Sequence, residues 1–157
     1  FDKTKVDIGA LLQRVLGMFS AEAQEKNISL AFEERYGDLT ITADPQRLEQ
    51  VFSNLIGNAI RYVPEGAKVW VTAAAAPQGL RMTINDNGAG VPEEDLPFIF
   101  DRFWRKDKSR SRASGGTGLG LAIAKQLLEA QGGTIAARNL PEGGLQVEIR
   151  IERKPSL

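Results

Sequence analysis

The sequence predicts an α+β fold: a two-layer α/β sandwich in which a mixed, mostly antiparallel sheet carries its helices on one face. Three observations predict it. Segments that alternate apolar and polar residues come in neighbouring pairs joined by short Pro/Gly turns, at 68–85 and again at 134–151, which is the pattern of antiparallel hairpins. Other segments repeat apolar residues at helical spacing, but they do not alternate regularly with the strands as a parallel doubly wound sheet requires. The 157 residues, 42% hydrophobic and 25% charged, suit one soluble domain, and no repeat or low-complexity tract divides them. Residues 1–157 are therefore read as a single domain.

Each element has its own justification. Residues 6–8 read as a short strand. Leu11, Leu12, Val15, Leu16 and Phe19 then recur at helical spacing, predicting one helix to about Lys26. Residues 28–34 alternate, with Ile28, Leu30 and Phe32 on one face of a half-buried strand. Gly37-Asp38 makes a turn, and 40–43 a brief strand. Asp44-Pro45 is a helix start, a capping carboxylate followed by proline at the first helical position. That helix runs to about Val63, where Pro64-Glu65-Gly66 stops it. Residues 68–75 and 80–85 form a hairpin around Pro77-Gln78-Gly79. From Asp86 to Thr117 the chain turns rich in Gly, Pro, Ser and charge, and no regular element is predicted through most of it; a loop this long generally carries function or is disordered. Residues 119–130 read as a helix closed by Gly132-Gly133, and 134–138 with 145–151 as a second hairpin.

Composition narrows the chemistry. Twenty basic residues balance twenty acidic ones, so no net field argues for nucleic acid or an anionic membrane as partner. No apolar run reaches the ~18 residues of a membrane span, and no signal-peptide pattern opens the chain. The chain has no cysteine, which excludes a disulfide scaffold and thiolate metal sites. It also has no histidine, which removes imidazole acid–base catalysis, the Ser-His-Asp triad and the usual zinc ligands. What remains is carboxylates, amides, basic groups and backbone, a set suited to a nucleotide with magnesium.

Four clusters can carry that chemistry. On the helix 44–63, Leu48, Phe52, Leu55, Ile56, Ala59 and Val63 gather on one side. Arg47, Gln50, Asn54, Asn58 and Arg61 form the opposite stripe, with Tyr62 at its edge. A polar stripe is usually a solvated face, but a face without a task favours Glu, Lys or Ala over Asn. Two amides one turn apart offer oxygens to a hard cation and NH₂ groups to phosphates. Asp86-Asn87-Gly88-Ala89-Gly90 directly follows a strand. By itself it reads as a turn, yet a carboxylate at the end of an apolar strand is partly buried and can accept a hydrogen bond from an exocyclic amine such as that of adenine. Its glycines let the backbone lie close to a flat ring. Gly115-Gly116-Thr117-Gly118-Leu119-Gly120-Leu121-Ala122 leads glycines into a helix start, where unpaired N–H groups and the dipole favour an anion. Flexibility alone also accounts for glycines, and the spacing matches neither the P-loop nor the dinucleotide fingerprint. Lastly, Phe98, Phe100, Phe103 and Trp104 crowd one stretch of polar loop beside Arg102, Arg105 and Lys106. Such aromatics anchor the loop or dock on a partner, and anchoring is the expected role. The basic, serine-rich residues 108–112 read as a solvated tip.

Taken in order, the four clusters resemble the histidine-kinase branch of the ATPase superfamily that includes gyrase, Hsp90 and MutL. Asn54-Leu-Ile-Gly-Asn58-Ala-Ile-Arg61-Tyr62 resembles its N box, and Asp86-Asn-Gly-Ala-Gly90 its first glycine box. Residues 98–103 resemble its F box, and Gly116-Thr-Gly-Leu-Gly-Leu-Ala122 its second glycine box. The resemblance covers essentially the whole chain. It implies ATP held between the N-box helix and a flexible lid of about 91–117. It implies that Asp86, with Gly88 and Gly90, receives the adenine, and that Asn58 holds Mg²⁺ through its side-chain oxygen with Asn54 close by. Arg61 and Tyr62 then reach the phosphates or ribose, and Gly116, Thr117, Gly118, Leu119 and Gly120 line the triphosphate. Arg102 or Arg105 approaches the γ-phosphate when the lid closes.

The implied reaction moves the γ-phosphoryl group of Mg-ATP to a histidine on a separate dimerisation domain, in two-component signal transduction, with a response regulator downstream. Asn54 stands where gyrase-like relatives carry a glutamate that activates water, and an amide cannot act as that base. Two departures stand out: Arg61 replaces the common lysine, and the phosphoacceptor histidine is absent, so this chain alone should not autophosphorylate. Residues 1–7 are expected to be a linker remnant from that missing domain, and the isolated domain a monomer. The parent is expected to be anchored in the inner membrane with this domain in the cytoplasm. Two rival readings are an anti-sigma-factor-type serine kinase, which usually has a shorter lid, and a nucleotide-gated binding module without phosphotransfer.

Overall fold

A computed structural model of the chain describes residues 2–104 and 120–153. In chain order its elements are β1 (Thr4–Asp7), α1 (Ile8–Met18), α2 (Ser20–Glu25), β2 (Ser29–Tyr36), β3 (Thr40–Ala43) and α3 (Pro45–Tyr62). There follow β4 (Lys68–Ala76), β5 (Gly79–Asp86), a short 3₁₀ helix (Glu93–Phe98), α4 (Gly120–Ala130), β6 (Gly133–Asn139) and β7 (Leu145–Glu152). Five strands form one sheet in the order β2-β4-β5-β7-β6, and β1 with β3 forms a separate antiparallel pair. Within the large sheet only β2 and β4 run parallel. A parallel pair needs a crossover rather than a hairpin, and β3 and α3 supply it.

The helices pack on one face of that sheet, as the patterning predicts. In β5 the alternation puts Leu80, Met82, Ile84 and Asp86 in one row under the helical layer. Val69, Val71 and Ala73 of β4 and Val147, Ile149 and Ile151 of β7 extend it. Above lie Leu12 and Val15 of α1, Leu48, Phe52, Leu55 and Ile56 of α3, and Leu121, Ala124 and Leu128 of α4. Each such side chain taken out of water contributes roughly 1.5–3 kcal/mol. The buried side of α3 is wider than the predicted row, because Val51 and Ile60 are buried too. The reason is that α3 meets both α1 and α4 as well as the sheet, so its two flanks are covered.

Three details differ from the sequence reading. The single helix expected to Lys26 is broken at Phe19, whose φ −103° and ψ 5° leave the helical region. Gly17 precedes the break, and the Ser20 hydroxyl donates to the Gly17 carbonyl at 2.9 Å, a local bond that competes with continued helix. Phe19 turns onto α3, where a Cβ at Gly57 would lie 3.1 Å from its ring. The opening strand is Thr4–Asp7 rather than 6–8, because Asp7 caps α1 by accepting from the Ala10 N–H at 3.1 Å. The loop after β5 contains the 3₁₀ helix, entered at Pro92 with Glu93, Glu94 and Asp95 in its first turn, where the helix dipole favours negative charge.

Candidate functional site

The site forms where the core-facing row of β5 ends. Asp86 is buried, the last residue of that row, and its Oδ1 accepts from the Gly88 N–H at 2.9 Å and the Leu145 N–H at 3.3 Å. Its Oδ2 has no hydrogen bond among the described residues. The carboxylate therefore stands at the end of the sheet with one oxygen fixed by backbone and the other available.

A narrow slot opens onto it. Leu55, Asn58, Ala59 and Tyr62 of α3 form one side, a set spaced three and four residues apart along one helical face. Ile84, Leu145 and Val147 of the sheet form the floor, and Val91, Ile99, Trp104 and Leu121 close the rest. The walls are apolar and the polar groups few. Trp104 stands in the wall, and its indole N–H is buried with no acceptor among the described residues. The lining has the chemistry that a flat heteroaromatic with an exocyclic amine calls for: apolar faces for its ring and a carboxylate oxygen for its amine.

The glycines around Asp86 are there for space and conformation. Gly90 has φ +73°, and a Cβ on it would lie 2.5 Å from Asn139 Oδ1. Gly144 has φ +103°, and a Cβ there would stand 1.8 Å from the Asp86 carbonyl oxygen. Asn139, at the end of β6, grips the loop leaving the site. Its Oδ1 accepts from the Val91 N–H at 2.9 Å, and its Nδ2 donates to the Val91 carbonyl at 2.6 Å and to Glu93 Oε1 at 3.1 Å.

The sequence-predicted residues are only partly gathered here. Asp86, Asn58, Tyr62 and Gly90 line the slot together, and Gly88 caps the carboxylate. Asn54 lies one turn before Asn58, and its Nδ2 donates to the Gly120 carbonyl at 3.3 Å, tying α3 to the first residue of α4. A Cβ at Gly120 would meet no described atom within 4 Å. Arg61 is exposed and does not line the slot. Arg102 is also exposed, its guanidinium 5.6 Å from the Phe103 ring centroid, beside a second groove that includes Phe100, Ala122 and Ile123. Arg105, Gly116, Thr117, Gly118 and Leu119 lie outside the described residues, as do Lys106 and 108–112.

The aromatic cluster divides. Phe100 and Trp104 pack against the core beside the fully buried Ile99, which is the expected anchoring. Phe98 and Phe103 remain 54% and 66% exposed. Sequence reasoning missed Leu145, Val147, Val91, Asn139 and Gly144 as parts of the site. Alternation in β7 places Leu145 and Val147 on the helix-facing side, a signal that was present; the partner of a lone Asn has none.

The donor set also fits magnesium. Asn58 and Asn54 offer neutral amide oxygens, and no group of three His, Cys, Asp or Glu side chains is placed to hold a metal among the described residues. An ion that keeps its waters and takes its charge balance from phosphates needs no such carboxylate cage.

Comparison with known proteins places this geometry. Residues 43–155 match the family described as histidine kinase-, DNA gyrase B-, and HSP90-like ATPase. The signal transduction histidine-protein kinase BaeS of Escherichia coli K12 is 37% identical over 155 residues, which is 98% of this chain but 33% of BaeS; the chain thus spans about a third of that relative. The nucleotide-free catalytic domain of the histidine kinase ThkA superposes with a TM-score of 0.84 at 28% identity, covering 98% of this chain and 97% of that one. Full-length ShkA in complex with AMPPNP superposes with a TM-score of 0.84 at 31% identity, covering 99% of this chain and 32% of ShkA.

Proposed function

This chain belongs to the family of histidine kinase-, DNA gyrase B- and HSP90-like ATPases, and we propose that it binds Mg-ATP in the Asp86 slot and donates the γ-phosphoryl group to a histidine outside these 157 residues. The observation that carries the reading is the buried Asp86 carboxylate at the base of an apolar slot, with one oxygen held by two N–H groups and the other available. Asp86 accepts from the adenine amine. Leu55, Ala59, Ile84, Val91 and Val147 sandwich the ring and exclude water, with Trp104 in the slot wall. The base thereby fixes the direction in which the triphosphate leaves, past Asn58 and toward the N-terminal start of α4 at Gly120.

Asn58, with Asn54 beside it, would hold magnesium, which when bound neutralises charge on the β- and γ-phosphate oxygens. In the transfer, the bond from the γ-phosphorus to its bridging oxygen breaks, and ADP leaves with that electron pair. A P–N bond forms to the histidine, whose proton passes to a base or water beside it. This chain has no histidine, so the acceptor lies elsewhere in the parent, on a dimerisation domain in the reading that the family supports. The domain's contribution is position and charge stabilisation rather than a general base. Asn54 and Asn58 are amides, so no carboxylate from α3 activates water at the phosphates, and turnover against water stays slow. Arg61, Arg102 and Arg105 are the basic groups proposed to meet phosphate oxygens. A response regulator then receives the phosphoryl group; ThkA, similar to this chain, has been solved in complex with its response regulator protein TrrA. The parent is proposed to be membrane-anchored with this domain in the cytoplasm.

Titration of the chain with a non-hydrolysable ATP analogue, with and without Mg²⁺, tests the reading. Magnesium-sensitive binding is expected, and Asp86→Asn should weaken it about 10- to 100-fold, the worth of one hydrogen bond to a charged group. Binding that Asp86→Asn leaves intact would place the nucleotide elsewhere. Adding a histidine-bearing dimerisation domain with ATP should yield a phosphorylated histidine; its absence would reduce the domain to a nucleotide-binding module.

A further inference from the structure

We infer that Lys26 is a positioning residue of the nucleotide site, clamping the C-terminal end of α3 so that the wall behind Asp86 stays in place. A helix ends with carbonyl groups that have no intrahelical donor, and the negative end of its dipole lies there. In α3 the Val63 N–H takes up the Ala59 carbonyl at 3.2 Å. The Lys26 ammonium takes three of those that follow: it donates to the Ile60 carbonyl at 2.7 Å, the Arg61 carbonyl at 3.2 Å and the Val63 carbonyl at 2.9 Å. An ammonium has three protons to donate, and all three are used here. The backbone of the same residue holds the next turn, its carbonyl accepting from the Gly66 N–H at 2.9 Å. One residue at the end of α2 thus fixes 60–66 from both sides.

That stretch is the back of the slot. Tyr62 lines it directly. Val63 and Pro64 lie against Gly88, where a Cβ would be 3.4 Å from Val63 Cγ1, 3.6 Å from Pro64 Cδ and 3.2 Å from Asp86 Oδ1. Gly88 in turn donates to Asp86. The path from Lys26 to the carboxylate runs through the Val63 carbonyl, the Val63 and Pro64 side chains that border the space at Gly88, and the Gly88 N–H. If the end of α3 drifts, Tyr62 leaves the slot wall and Val63 and Pro64 no longer border the turn at Gly88 that holds Asp86, so the oxygen that should meet the base loses its fixed direction.

The inference rests on reading the slot as an adenine-nucleotide site, and the test separates the two. Kd for an ATP analogue and for ADP is measured by calorimetry, with Tm alongside, for the wild-type chain, Lys26→Met, Lys26→Arg and Arg153→Gln. Arg153 is a matched control: it donates to the Asp38 and Thr40 carbonyls, far from the slot in the fold's small-sheet end. Lys26→Met should raise Kd about tenfold, equally for the ATP analogue and ADP because the effect is on the base. Lys26→Arg, which keeps charge and donors, should recover most of the affinity and stands in for Lys26→Met if that variant does not fold. Arg153→Gln should lower Tm and leave Kd unchanged. Wild-type affinity in Lys26→Met, an equal loss in Arg153→Gln, or a loss confined to the ATP analogue would each overturn the role. A wild-type chain that is folded and binds neither nucleotide would instead sink the reading of the slot itself.

Discussion

Asn139 does with one side chain what a neighbouring strand does with its backbone. By accepting from the Val91 N–H and donating to the Val91 carbonyl it supplies both halves of a ladder rung, where the chain leaves the sheet for the loop over the slot. An alanine at 139 leaves both Val91 groups without that partner. Two neutral hydrogen bonds are worth roughly 1–3 kcal/mol together. Asn139→Ala should therefore lower stability by that order in chemical denaturation and weaken ATP-analogue binding, since Val91 and Gly90 line the slot. Nucleotide affinity equal to wild type would confine Asn139 to a structural role. Gly144 belongs to the same scale: only a residue without Cβ lets β7 begin so close to the Asp86 carbonyl that the Leu145 N–H reaches the carboxylate.

At the scale of elements, α3 explains most of the architecture. Its Asp44 cap and Pro45 start are local signals, its apolar faces meet the sheet and two other helices, and its polar edge carries Asn54, Asn58 and Tyr62. The pair α1–α2 is a single amphipathic run interrupted so that Phe19 can reach α3. Two glycines nearby make the point testable. A Cβ at Gly17 would meet nothing within 4 Å, whereas one at Gly57 would press on the Phe19 ring. Gly17→Ala should stabilise the chain by roughly 0.5–1 kcal/mol, the helix-interior difference between the two residues. Gly57→Ala gains the same helix propensity and loses it to overpacking against Phe19. Denaturant midpoints that moved upward by the same amount in both variants would remove Phe19–Gly57 packing as the reason for the break.

For the whole molecule, electrostatics sets an acid limit. Burial works to raise the Glu148 carboxyl, but hydrogen bonds from Arg150 and Arg81 and their charges outweigh it and hold it below its ordinary 4.5. Burial likewise opposes, and donors from the Arg47, Asp2 and Gln46 backbone overcome, the shift at Asp44; Asp38 is lowered chiefly by hydrogen bonds from Thr40. Each of these groups holds its proton less tightly folded than unfolded. The stability they contribute is complete above about pH 4.5 and is lost as pH falls below the ordinary values of 4.5 and 3.8 toward the lowered folded ones. Urea midpoints should stay level across the neutral range as far as these groups are concerned, and fall below pH 4.5. Glu148→Gln should flatten part of that fall.

Everything carried by a local period or a local signal was legible in the sequence. The two hairpins, the cap and length of α3, the apolar row ending at Asp86 and the amide stripe beside it follow from periods of 2 and 3.6, which neighbouring residues fix among themselves. The four motifs in order also pointed to the family. The parallel pairing of β2 with β4, the break at Phe19, and which polar residues face one another came only from packing. Val91 and Asn139 are 48 residues apart and Lys26 and Val63 are 37 apart. A single side chain that bonds to backbone at that distance leaves no period in the sequence, because its partner is a peptide group that every residue possesses. Only the packing that brings those two stretches of chain together selects which one it meets.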